Sequence, residues 1–163
     1  MNYDLTRLQS GIEKEILIKE TYSFSKEELE GTEILSLDQV TIEGRIFKNA
    51  LDNIELTLTI DGTMVLPCSI TLKPVPYPFH IEVSGEKDEL LEEMGEIEKK
   101  NENTLDIFPI IWENILMEIP MKVTSPDAEG VKLQGDGWKL VGEEENDGNT
   151  ALEGLKDYYK KEV

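Results

Sequence analysis

Seven apolar side chains fall on even positions between residues 54 and 68: Ile54, Leu56, Leu58, Ile60, Met64, Leu66 and Cys68, with Glu55, Thr57, Thr59 and Asp61 on the odd ones. A period of two marks a strand with one buried face. Asp61-Gly62 is also a favoured hairpin pair. A two-residue hairpin there would set Leu58 against Val65 and turn Met64 and Leu66 onto the polar face. The unbroken alternation therefore predicts one long strand from Ile54 to about Cys68, with Gly62 as a bulge or kink and a hairpin as the alternative.

Other segments read the same way. Ile16, Ile18, Tyr22 and Phe24 alternate, as do Val40, Ile42 and Ile46, and later Phe79, Ile81 and Val83. Strands are expected over about 14–24, 39–48, 54–68 and 77–84. Ser25 precedes Glu28 by three positions, a capping-box spacing that predicts a short helix through Leu29 to Gly31. Pro67, Pro74, Pro76 and Pro78 confine Ile70 and Leu72 to a short or edge strand. Pro109 opens a helix with Phe108, Trp112, Ile115 and Ile119 on one face, which Pro120 ends. A short strand is expected at Met121–Thr124. Thr150, Glu153, Leu152, Leu155 and Tyr159 read as a capped terminal helix. The fold class is α+β: a bent antiparallel sheet or partly open barrel with packed helices.

The 163 residues suit a single domain, 1–163. Residues 85–103 hold eight acids and three lysines around Leu90, Leu91, Met94 and Ile97, which predicts an amphipathic helix, with a mobile acidic segment as the alternative. Residues 125–149, with five glycines and the run Glu143-Glu144-Glu145, read as irregular. Sixteen Lys and Arg face thirty-five Asp and Glu, a net charge of −19, which opposes binding by phosphate neutralisation. Direct RNA binding would need Arg45, Lys48 and Lys73 gathered in one stripe. The first residues carry charges and no signal-like apolar stretch, and nowhere does a membrane-length apolar run occur, so a cytoplasmic protein is expected.

One Cys and one His cannot assemble a zinc site in one chain, and no nucleotide-binding or hydrolase motif is present, so no catalytic residue, metal or cofactor is assigned. His80 reads as a strand histidine on the face of Pro78 and Glu82, and Cys68 as a core thiol without a cation beside it. A small enzyme using either is the alternative. Trp112 and Trp138 are large side chains with either core or interface use.

Leu66-Pro67-Cys68-Ser69-Ile70-Thr71-Leu72, the run from Trp112 to Met121, and Gln134-Gly135-Asp136-Gly137-Trp138 resemble the bacterial YceD family of large ribosomal RNA subunit accumulation proteins, in its Bacillus-type form. Many relatives carry Cys-x-x-Cys where this chain has Cys68 and Thr71, and further cysteines where it has Thr124 and Ser125. A zinc site is therefore not carried over. The Asp-Pro-Arg frequent near the end is replaced by Asn149-Thr150-Ala151. The resemblance implies a noncatalytic role in accumulation of large-subunit (23S) ribosomal RNA. Joined to the charge, it points to a basic ribosomal or RNA-processing protein as partner, with the RNA touched indirectly. The expected contact residues are Glu86, Asp88, Glu89, Glu92, Glu93, Trp138, Glu143, Glu144 and Glu145.

Overall fold

In the computed structural model, residues 1–93, 95, 103–130, 134–135 and 138–139 are described. The chain divides into two compact units, Met1–Ser125 and Pro126–Val163. In the first, β1 (Asn2–Asp4) leads into α1 (Thr6–Gln9), β2 (Glu15–Tyr22), β3 (Ser36–Leu37), β4 (Val40–Lys48), β5 (Ile54–Pro67) and β6 (Pro74–Glu86). Then come α2 (Lys87–Glu93), β7 (Thr104–Asp106) and α3 (Phe108–Met117). In the second unit, a 3-10 turn at Pro126–Gly130 precedes β8 (Gln134–Gly135) and β9 (Trp138–Lys139), an antiparallel pair where an irregular stretch was expected.

The fold is α+β, and its main sheet is antiparallel and does not close into a barrel. Strands run β2-β4-β5-β3, with β6 on the other side of β5. The long strand is continuous, as the alternation predicts. Leu56, Leu58, Ile60, Met64 and Leu66 are fully or almost fully buried, and Cys68 continues their face just beyond the strand. They meet Val40, Ile42 and Ile46 of β4, Phe79, Ile81 and Val83 of β6, and Ile110, Ile111 and Ile115 of α3 in one core.

Gly62 is neither a hairpin corner nor a bulge. Asp61, Gly62 and Thr63 pair in step with His80, Phe79 and Pro78. A Cβ on Gly62 would lie 2.7 Å from Phe79 Cζ, so the glycine makes room for that ring. On its other edge, β5 pairs with β4 up to Asp61 and with β3 from Met64.

The prolines of β6 do not shorten it. Pro74, Pro76 and Pro78 occupy alternate positions, so their missing donors all face one way, and β6 pairs only with β5. An edge strand leaves that side unpaired without cost. Ile70 and Leu72, expected in a strand, instead belong to the turn from Cys68 to Lys73, where Cys68 N–H donates to Lys73 O and Leu72 N–H to Cys68 O. The capping-box bonds at Ser25 and Glu28 form, at 2.7 and 3.4 Å, yet residues 26–31 make turns and no helix. Glu28 also accepts from Tyr22 Oη at 2.6 Å, which ties the turn to the end of β2, and Gly31 reverses the chain at φ +85°.

Pro109 stands in the first turn of α3 as predicted. Trp112 stacks on Phe24 with ring centroids 5.1 Å apart, which accounts for its bulk within the fold. Met121–Thr124 is not a strand; Val123 accepts from Ser69 N–H at 2.7 Å and donates its own N–H to Ser69 Oγ at 3.1 Å. The helix expected in the acidic segment forms over Lys87–Glu93. The rest of that segment except Gly95 and Asn103, and the terminal helix expected at 150–159, lie outside the described residues. No helix among the described residues is long and apolar enough to cross a membrane.

Candidate functional site

The β5–β6 ribbon has two ends of different chemistry. It runs thirteen steps from Ile54 to Pro67, about 40 Å at strand rise. At the Ile54 end, α2 carries Asp88, Glu89, Glu92 and Glu93 in exposed positions, and among the described residues none of them has an ion-pair partner. Glu86 is different, because its carboxylate accepts from the side-chain amides of Asn49 and Asn53 at 3.1 Å. It closes the turn before β5. Trp138 lies in β9, with its side chain outside the described residues, and Glu143, Glu144 and Glu145 lie outside them altogether.

At the Pro67 end, a cleft of about 440 Å³ opens between Thr32, Glu33 and Leu35 on one bank, the turn residues Pro67, Cys68, Ser69 and Leu72, and Met121 beyond α3. Leu35, Leu72 and Met121 are three of the large apolar side chains most open to solvent, at 52%, 76% and 106%. Periodicity alone missed this cleft, because exposed apolar residues in turns have no period to betray them.

Cys68 forms its floor. The sulfur accepts the N–H of Thr71 at 3.5 Å and of Ser125 at 3.4 Å. The Thr71 hydroxyl first, then the Thr71 N–H, with a smaller part from the Ser125 N–H, lower the thiol to about 6 against the opposing effect of burial. The buried reading of Cys68 thus stands, but its acidity comes from donors that the turn gathers and not from a cation. Thr71 and Ser125 also occupy positions where the resemblance expects cysteines. One thiol among hydroxyl side chains does not fit zinc, which takes three or four Cys, His or carboxylate ligands, and no such group occurs among the described residues.

His80 lies elsewhere. It projects from the exposed face of β6, with Nδ1 2.5 Å from Asp61 Oδ1 on β5 and Nε2 3.7 Å from Glu82 Oε1. The hydrogen bond to Asp61, then its charge, raises the imidazole above its ordinary value. Asp61 and Cys68 are seven residues apart, roughly 20 Å along the strand, and His80 faces away from the core that Cys68 joins. The two form no dyad.

The described cations are dispersed, and four of them stand beside carboxylates. Arg45 Nη1 stands 3.6 Å from Glu15, Lys19 3.3 Å from Glu43, Lys48 3.3 Å from Asp52 and Arg7 3.3 Å from Glu13. Arg45 and Lys48 are three residues apart on β4 and so point to opposite faces, while Lys73 sits at the far end of the ribbon. No stripe of the three exists.

The model of the family described as large ribosomal RNA subunit accumulation protein YceD matches residues 56–157. The uncharacterized protein YlbN of Bacillus subtilis (strain 168) is 34% identical over 122 residues, which cover 70% of this chain and 69% of that protein. No solved structure matches. The matched span takes in the long strand from Leu56 onward, the Cys68 turn that brings Thr71 and Ser125 together, α3 and the β8–β9 pair, and on this agreement the chain belongs to the YceD family.

Proposed function

We propose that this protein is a noncatalytic ribosome-biogenesis factor that supports accumulation of large-subunit (23S) ribosomal RNA through contact with a basic ribosomal or RNA-processing protein. Family membership carries the ribosomal part of this reading, since the family is described by large ribosomal RNA subunit accumulation. Charge supports the rest. A chain at −19 repels a polyanion, and four of its described cations stand beside carboxylates. The same field draws a cationic protein and speeds encounter. Neither His80 nor Cys68 meets the other, which supports a binding role over a hydrolytic one.

The test is to purify a tagged full-length chain from cells before and after nuclease treatment and identify its companions. A basic ribosomal or processing protein retained after nuclease is the expected result. Loss of every companion with the RNA would overturn the reading in favour of direct RNA binding.

A further inference from the structure

Leu72 bears two costs at once. Its φ is +60°, a left-handed conformation that a bulky side chain adopts only under constraint, and it is 76% exposed. Glycine or asparagine would relieve the first cost, and any polar residue the second. Beside it, Leu35 and Met121 open the same cleft to solvent. Along the neighbouring turn, Glu27, Glu30 and Glu33 are exposed and have no ion-pair partner among the described residues, and Glu33 lines the cleft itself. An unpaired carboxylate therefore stands at the rim of an apolar cleft.

We infer that the cleft between the 32–35 loop, the Cys68–Lys73 turn and Met121 is the docking surface for an amphipathic basic segment of a protein partner, its apolar side chains on Leu35, Leu72 and Met121 and its cations toward Glu27, Glu30 and Glu33. This rests on the reading above and gives it a place. A second copy of the chain fits the cleft less well, since two bodies at −19 repel, whereas the same field attracts a cationic segment. Glu33 at the rim supplies local attraction, and the apolar side chains supply the desolvated contact that holds.

The test uses the full chain and a synthetic amphipathic Lys/Leu peptide, with a Lys/Ser peptide of equal charge as control, read by fluorescence anisotropy at physiological salt. The Lys/Leu peptide binds more tightly than the control. Leu72→Ser and Met121→Ser each weaken it by about tenfold with the urea midpoint unchanged, as expected of anchor side chains. Combined Glu27→Gln, Glu30→Gln and Glu33→Gln weakens binding and flattens its salt dependence. Neutralising Asp88, Glu89, Glu92 and Glu93 leaves the Lys/Leu preference intact. Loss of binding with the α2 variant but not with Leu72→Ser, or no preference for Lys/Leu, overturns the inference while the nuclease-resistant companion still stands. A concentration-dependent dimer abolished by Leu72→Ser also overturns it, with a second copy as occupant.

Discussion

The two ends of the β5–β6 ribbon are both acidic, yet they offer different things to a partner. The Ile54 end presents the carboxylates of α2 over a polar groove lined by Gln9, Asn53, Glu86 and Lys87, with its half-buried Leu90 turned toward Gly85. The Pro67 end presents fewer acids but sets Glu33 beside Leu35, Leu72 and Met121. Charge density attracts from a distance and is screened within about 8 Å at physiological salt, whereas a fixed complex needs apolar surface that can be dried. The most acidic stretch of a sequence therefore marks a field. The contact surface is placed by the turns.

Substitutions at the two ends put that contrast to the test. The largest effect belongs to the core beneath the cleft: Leu66→Ala should cost about 2–5 kcal/mol in urea unfolding, while Leu90→Ala at the other end, being half-buried, should cost about 1 kcal/mol. Equal losses would mean that α2 is as integral to the unit as the cleft end. Next, Leu72→Asn should raise stability by up to about 1 kcal/mol, because asparagine tolerates positive φ, and should at the same time weaken the Lys/Leu peptide. A stability loss would show that Leu72 serves the fold and not a partner.

Cys68 yields a pH signature confined to the cleft end. Its folded-state thiol lies at about 6, below the unfolded value, so its stabilising contribution is present above the ordinary thiol range and disappears as pH falls through about 6. Thiolate absorbance should titrate near 6, and Thr71→Val should move that midpoint upward. A midpoint at the ordinary value would show that the Thr71 hydroxyl and the N–H groups do not hold the thiolate. The smallest effect is at His80, part-way along the ribbon, where the raised imidazole value places its contribution below the unfolded range, to be lost as pH rises through the folded one. Its proton NMR titration should fall to lower pH in Asp61→Asn. An unchanged titration would show that the 2.5 Å contact does not govern it.

Much of this fold is legible in the chain, and the failures share a cause. Alternation found β5 and the buried faces of β4 and β6, because burial of one face imposes a period of two. It misplaced Ile70 and Leu72, since two apolar residues at strand spacing carry the same signal inside a turn. The Ser25–Glu28 bonds were read correctly but the helix was not; one capping box offsets little of the cost of nucleating a helix that has barely a turn to propagate. The β1–β7 pairing, which joins Asn2 to Asp106, had no local mark at all.

The strand faces, the proline-opened helix, the large negative charge and the family are all readable from the chain alone. Those are properties of spacing and composition, which act locally or by simple summation. Packing alone reveals that Gly62 serves Phe79 and not a hairpin, that Thr71 and Ser125 converge on Cys68, and that Leu35, Leu72 and Met121 border one cleft. Each of these joins residues far apart in the chain, and such closeness follows from how the elements pack, which no single segment encodes.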